Sequence, residues 1–317
     1  MRNLNRVVWM KGMYLAPQHL QQTDRCSDAM LAFWMRTSPL PAWGFVELSV
    51  DQDALANGAF RISMAQGIFP DGTIFSAPDS DPLPPMMSIA ERFEPDQENL
   101  EVQIALSRNL AEDARTVGDE FTRMFAGSGG RYVTYDANLK DDLAAADERP
   151  VVLAARNIRA VPAGGAAASD VTLDCARVIR NEAGIFRLDP GFAPPSLQIR
   201  ASETLMQVLR LVVELLVSAR AAVLRNNIAA ADTERLRRDL LLRDLNVAIA
   251  SLMHVFRSGH EHPEAAYREL LNAAGMLSLA SPSFDPSGLA RYDHSRPAEA
   301  FRSLAETIRQ LAAALTA

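Results

Sequence analysis

The stretch PGFAPPSLQIRASETLMQVLRLVVELLVSARAAVL (residues 190–224) divides the chain in two. Adjacent Pro194 and Pro195 stop a sheet from continuing through them. From Ser202 onward the pattern is helical, and Ser202 is placed to cap a helix that reaches about Asn226. Gln207, Arg210, Glu214, Ser218 and Arg225 make only a narrow polar stripe along it. An ordinary surface helix has one apolar face. A helix apolar over most of its circumference has to be covered on two sides, by its own domain and by something further. Arg210, Glu214 and Arg220 interrupt the run, so it is not read as a membrane span.

Downstream the grammar stays helical. Asp232 can cap a second helix to about Phe256, with Leu236, Leu240, Leu245, Ile249, Leu252 and Phe256 expected inward. Pro263 suits the first position of a third helix, ending near Gly275, and Pro297 the first position of a fourth. In the fourth, Phe301, Leu304, Ile308, Leu311 and Leu315 follow 3-4 spacing, a seam that favours packing along a bundle or coiled coil. The pattern is still running at Ala317 without a stop signal, so the native protein is expected to continue. A helical bundle with surplus apolar surface is predicted, and oligomerisation is its simplest account.

Upstream, apolar runs are short and turn residues frequent. WGFVELSV (residues 43–50), FRISMAQGIFPDGTIFSAP (60–78), LEVQIALSR (100–108), RYVTYD (131–136), RPVVLAARNI (149–158) and the run 171–189 read as strands. Pro70-Asp71-Gly72-Thr73 is a hairpin turn with a mechanism, because Pro presets φ and Gly tolerates φ > 0. PAGGAAAS (162–169) is a flexible surface loop. Many short strands with turn signals predict an antiparallel sandwich or barrel. One helix, from Gln18 to about Met35, precedes them.

Composition bounds the function. The 317 residues carry a net charge of -7, with 48% hydrophobic and 22% charged residues. That is ordinary globular composition with no general nucleic-acid footprint. Two cysteines far apart, Cys26 and Cys175, do not make a disulfide scaffold, and a reducing compartment fits them better. No secretory signal is expected.

Catalytic constellations are thin. GSGG (127–130) lacks a following Gly-Lys-Ser/Thr and precedes a strand, so it reads as a plain loop and not a phosphate loop. No Gly-x-Ser-x-Gly elbow occurs. His254, His260 and His262 lie near Glu261 and Glu264, but no Cys cluster or HExxH helix accompanies them. His262-Pro263-Glu264 is better read as a helix start, with Pro first and an acid in the first turn. Asp293 and His294 are better read as local hydrogen-bonding groups in the loop entering the last helix. Both cysteines read as small buried hydrophobes.

VVWMKGMYLAPQHLQQTDR (residues 7–25) carries a family signal. It resembles the opening of the TssK family (ImpJ/VasE) of type VI secretion baseplate proteins, whose usual form is Trp, then Glu-Gly-Met-Phe-Leu, then Pro-Gln-His-Phe-Gln-Gln. Trp9, Gly12, Met13, Tyr14, Leu15, Pro17, Gln18, His19, Leu20, Gln21 and Gln22 stand at the matching positions. Lys11 stands where the family commonly has Glu, and Leu20 where it commonly has Phe. FPDGTIF (69–75), HPEAAYRELLNAAGMLS (262–278) and YDH (292–294) look like later family segments in the right order.

The resemblance implies a multidomain α+β fold: an antiparallel β-sandwich shoulder followed by an α-helical bundle neck. Its parts would be a docking arm (1–18), the shoulder with one early helix (19–195) and the neck (196–317), with the C-terminal head absent. It implies a non-enzymatic homotrimeric connector in the cytoplasm, beneath the bacterial inner membrane. Such a connector would bind the baseplate proteins TssF and TssG, and the TssJ/TssL/TssM membrane complex only through the head.

On this reading Trp9, Met13, Tyr14, Leu15, Pro17, Gln18 and His19 form the docking arm, anchored partly on the shoulder and partly on a partner, with His19 capping or orienting the helix start. Leu205, Leu209, Val212, Leu216, Phe301, Leu304, Ile308 and Leu311 pack the neck and trimer. His262, Pro263 and Glu264, and Tyr292, Asp293 and His294, are structural helix-start motifs. No cofactor, metal, nucleic acid or small-molecule substrate is expected. Two alternatives stand beside it: a phage-type receptor-binding or tail-fibre connector, and a metal-dependent hydrolase using His260 and His262.

Overall fold

The computed structural model describes residues 4–94, 97–108, 130–143, 147–225, 232–281 and 283–315. Gly127 to Gly129 of the glycine run lie outside them. Buried apolar side chains fall into two clusters, one built from strands and one from helices.

The strand cluster is shared by two antiparallel sheets. The first has the order β1-β3-β4, from β1 (Gly44–Val50), β3 (Ile62–Ile68) and β4 (Ile74–Ala77). The second has the order β11-β10-β6-β9, from β6 (Asn99–Ser107), β9 (Arg159–Pro162), β10 (Asp170–Arg180) and β11 (Phe186–Leu188). Phe45, Ile62 and Phe75 from the first sheet cluster with Val102, Ile104, Leu173 and Val178 from the second. A short helix α2 (Gln52–Ala56) and a pair of two-residue strands, β2 (Ala59–Phe60) and β5 (Met87–Ser88), flank them.

Side-chain alternation explains the pairing. In β10, every second residue is buried until a bulge between Asp174 and Ala176. The extra residue lets Cys175 and Ala176 both face inward before the alternation resumes at Val178. The Cys175 thiol donates to Val102 O at 3.2 Å, and burial pushes its pKa up, so it is inert. The expected β3–β4 turn is present: Gly72 N–H bonds Phe69 O at 2.9 Å, and Gly72 has φ +93°.

β7 (Tyr132–Lys140) and β8 (Glu148–Arg156) pair only with each other and leave both sheets. Their sequences suggested two more strands of the same layers. Their base is instead pinned by hydrogen bonds: Arg156 N–H and Ser76 N–H both donate to buried Asp81, at 2.8 and 3.0 Å, and Arg131 donates to Ser107 O at 2.8 Å. Beyond that base most of the ribbon is exposed.

Four helices make the second cluster: α3 (Glu203–Arg225), α4 (Asp232–Ser258), α5 (Pro263–Leu277) and α6 (Pro297–Ala314). They touch in a ring, α3 on α4, α4 on α5, α5 on α6 and α6 on α3. Ser202 caps α3, its hydroxyl accepting from Leu205 N–H. Pro263 and Pro297 occupy the first positions of α5 and α6. Helix α5 runs through Gly275 to Leu277, because Gly275 stays right-handed and nothing there forces a stop. The stop signal lies elsewhere: Gly259, left-handed at φ +64°, ends α4 with its N–H on Val255 O.

Two expectations need correction. Leu236 and Leu240 point outward, while Leu245 and Leu252 are buried as expected, joined by Val255. The eight side chains expected to pack both neck and trimer (Leu205, Leu209, Val212, Leu216, Phe301, Leu304, Ile308 and Leu311) all lie inside the chain's own bundle. None is accessible to a second copy, because α3 and α6 close on each other. The outward apolar positions of α3 are Leu211, Val217 and Leu224.

The connection between the clusters is stitched on both sides. Phe45 N–H bonds Pro195 O at 2.9 Å, and Leu197 N–H returns to Phe45 O at 2.8 Å. Ile199 N–H bonds Glu261 O, and Arg200 N–H bonds Gly259 O. Gly44 makes this approach possible, since it has φ +123° and a Cβ there would sit 2.7 Å from Pro195 O. Gly44→Ala is therefore expected to cost about 2–3 kcal/mol from backbone strain and clash. Chemical denaturation measures it, and a loss under about 0.5 kcal/mol, the usual range for neutral substitutions, would mean that the close approach is not maintained.

Candidate docking site

Helix α1 (Pro17–Thr37) begins at a compact start. His19 Nδ1 accepts from Ala16 N–H at 3.0 Å, and His19 N–H donates to Ala16 O. The residues before it fold back along the helix. Gln22 donates to Asn5 O at 2.8 Å, the Cys26 thiol donates to Leu4 O, and Trp9 lies 6.0 Å from the His19 ring. The arm's hydrogen bonds and ring contact thus run to α1, the early helix that the sequence assigns to the shoulder (19–195).

Much of this two-layered element is exposed among the described residues, several large apolar side chains included. Of the 21 residues in α1, only Cys26 is buried. Trp34 is 72% exposed, and Leu20, Met30, Leu31 and Phe33 are also exposed. On the arm, Tyr14 is 89% exposed, with Val8, Trp9, Met10 and Leu15 beside it, while Met13 is half-buried and Pro17, Gln18 lie in solvent at the helix start. Helix α1 approaches the body near the β3–β4 turn, where a Cβ on Gly72 would meet Ala32 at 3.1 Å. Most helical stability in proteins comes from tertiary packing, and a contiguous exposed apolar patch is a candidate interaction site. The sequence reading singled out the arm but missed the second half of α1. The available signal was Met30, Leu31, Phe33 and Trp34 crowded into one helical turn.

The two histidine motifs meet behind α1. His262 caps α5, its Nδ1 accepting Glu264 N–H at 3.1 Å. Its Nε2 lies 3.0 Å from Pro41 O, so the proton sits on Nε2 and the ring is neutral. His294 repeats the scheme: Nδ1 accepts from the Tyr292 hydroxyl at 2.9 Å, and Nε2 donates to Trp43 O at 2.8 Å. The two rings stack, 5.2 Å apart and 17° from parallel, with Trp43 edge-on to His294 at 4.7 Å.

Burial lowers both imidazole pKa values, that of His262 down to about 4 with help from the His294 charge. Burial also pushes the Tyr292 phenol up, keeping it a donor. Asp293 serves locally, accepting Ser295 N–H at 2.9 Å. Pro263 is buried at the start of α5.

These contacts leave His262 no ring nitrogen free to hold a metal. Both ring nitrogens of His262 are committed to the backbone, and His260 Nδ1 faces Gln198 Oε1 at 3.4 Å on the surface. Among the described residues, no three His, Cys, Asp or Glu side chains gather as a metal site. A cleft of about 530 Å3 lies between β10 and the start of α3. Several of its polar groups are engaged in structure: Arg177 bonds Glu101 and Asp189, and Thr204 bonds Phe192 O. No helix among the described residues is long and apolar enough to cross a membrane.

A chain whose histidines tie its own parts together, and whose N-terminal helix leaves Leu31, Phe33 and Trp34 exposed, has the features of an assembly protein. Comparison with known proteins places it within that class. Residues 19–317 match the family described as "Bacterial Type VI secretion, VC_A0110, EvfL, ImpJ, VasE", and the chain belongs to this family. It is 30% identical over 313 residues to the type VI secretion system baseplate component TssK1 of Pseudomonas aeruginosa, covering 96% of this chain and 68% of that protein.

Among solved structures, its fold is similar to a chain of the TssK-TssF-TssG baseplate subcomplex determined by cryo-electron microscopy. The TM-score is 0.82 and the identity 23%, over 98% of this chain and 99% of that one. A chain of the baseplate complex from the type VI secretion system matches with the same score at 26% identity, over 97% and 99%. A crystal structure of TssK matches equally well at 23% identity, over 97% of this chain and 69% of that one.

Proposed function

We propose that this chain is a non-enzymatic structural adaptor of the type VI secretion baseplate, in the cytoplasm beneath the inner membrane. The observation that carries the reading is the set of large apolar side chains on the arm and α1 that the described residues leave exposed. Trp9, Met13, Tyr14, Leu15 and the Met30–Trp34 turn dock on baseplate partners corresponding to TssF and TssG, while Pro17, Gln18 and His19 set the angle between arm and helix. Aromatic anchors of this kind dominate interface energetics. Linkage to the TssJ/TssL/TssM membrane complex belongs to a C-terminal head that the family resemblance places after the neck. Family membership favours this reading over a phage-type connector.

In the same proposal the residues divide into an arm (1–18), a shoulder (19–195) and a neck (196–317), and three copies join through the neck. The surface for it is an outer stripe of α3 and α4: Val217 and Leu224 with Leu236, Leu240 and Val247. Two observations support it: the stripe is apolar, and the inner faces of the same helices are already filled.

Light scattering coupled to size exclusion tests the assembly. The expected mass is about three times 34.7 kDa. The pair Leu236→Glu and Leu240→Glu is expected to reduce it to one, with folding stability changed by no more than about 0.5 kcal/mol because both sites are exposed. A wild-type monomer, or a variant that stays trimeric, contradicts the assigned stripe.

A further inference from the structure

The segment 38–43, Ser-Pro-Leu-Pro-Ala-Trp, is the tether that carries α1 and the arm. It has no titratable side chain, and two of its carbonyls are held by imidazoles from the helical bundle. We propose that His262 and His294 form a proton-operated clasp on Pro41 and Trp43, closed while both rings are neutral and opened when they are protonated. The clasp controls how firmly α1 and the arm are seated on the body, whatever they bind.

The geometry supplies the mechanism. Each ring uses Nε2 to donate and Nδ1 to accept, which only the neutral imidazole can do. A proton added to His262 Nδ1 would face Glu264 N–H, a donor that the first turn of α5 holds in place. The Tyr292 hydroxyl could turn to accept a proton on His294 Nδ1, so at His294 protonation is opposed by burial and, once His262 is charged, by the stacked ring. Two charged rings would also stack at 5.2 Å.

The surrounding charges are few. Arg268 on α5 opposes protonation of His262, while Glu264 and Asp293 favour it at His294. Arg36 at the end of α1 and Arg291 line the adjoining cleft. That cleft, about 540 Å3, is lined by Pro39, Leu40, Pro41 and Trp43 on one side and by Phe69, Pro70 and Gly72 on the other. It gives the tether room to move without disturbing either core.

The sign follows from linkage. The folded, clasped rings take up protons less readily than free imidazole, whose pKa is about 6.5. The clasp's stabilisation is therefore fully present above about pH 6.5. It is lost as pH falls toward about 4, the value to which His262 is lowered.

Hydrogen exchange on the full chain at pH 7.4 and 4.5, corrected for intrinsic rates, tests the clasp. Protection of peptides spanning residues 38–45 and 197 is expected to fall by roughly tenfold or more at pH 4.5, while the cores of α3 and α6 keep theirs. The double variant His262→Gln/His294→Gln retains a donor at each site without a titrating group, so its protection should be equal at the two pH values. No selective loss in the wild type, or the same loss in the double variant, overturns the proposal. Should the variant not fold, nitrogen NMR of the wild-type imidazoles decides. Neutral Nε2–H rings at both positions at pH 7.4 support the clasp, and a charged ring or an Nδ1–H tautomer at either refutes it.

Discussion

Leu209→Asp is expected to abolish the folded helical bundle. Leu209 is 0% exposed and sits in the second turn of α3, in the cluster that includes Leu205, Val213, Tyr267 and Phe301. Losing a buried leucine costs about 2–5 kcal/mol by itself. Burying an unpaired carboxylate adds several more unless it is protonated. A domain of this kind has roughly 5–15 kcal/mol to lose. The result should be an aggregated chain, or one whose urea midpoint has collapsed, as read by circular dichroism. A folded monomer with native stability would instead place Leu209 on an interface between copies. The contrast with Leu236 and Leu240 is the point, because the same chemistry on the outer face should separate copies and leave each one folded.

The second large effect is on binding. Phe33→Glu combined with Trp34→Glu puts two charges on the open face of α1. Hot-spot aromatics contribute about 2 kcal/mol or more each on truncation. Loss of both should weaken capture of the baseplate partners by roughly a hundredfold or more. Folding stability should move by no more than about 0.5 kcal/mol, because neither side chain lies in either buried cluster. Titration of the cognate TssF- and TssG-type partners against wild type and variant measures it. Undiminished affinity would remove α1 from the interface and leave the arm to carry docking alone.

What the sequence made legible was local. Ser202, Pro263 and Pro297 announce helix starts because capping and proline geometry act within one turn. Pro70-Asp71-Gly72 announces a hairpin for the same reason. The alternating runs become strands, but alternation does not say which strands share a sheet, so the exposure of β7 and β8 was hidden. The orientation of α4 was hidden too. Leu236 and Leu240 fit an apolar stripe as well as Leu245 and Leu252 do, and only the positions of α3 and α5 decide which stripe is covered.

The candidate site shows the same limit. The arm was visible as an aromatic, apolar run with nothing nearby to cover it. The histidine contacts were not, since His262 reaches Pro41 across 221 residues and His294 reaches Trp43 across 251. Nothing local to either motif encodes that pairing. Read alone, each is a helix start, which is also true of His262 in the fold.

The central claim is that the arm and α1 are an open docking surface. Hydrogen exchange on the full chain, alone and with its cognate baseplate partners, tests it most directly. New protection is expected to concentrate in residues 4–37, with little change over β7, β8 and the outer stripe of α3 and α4. Protection elsewhere, with 4–37 exchanging as in the free chain, would contradict it.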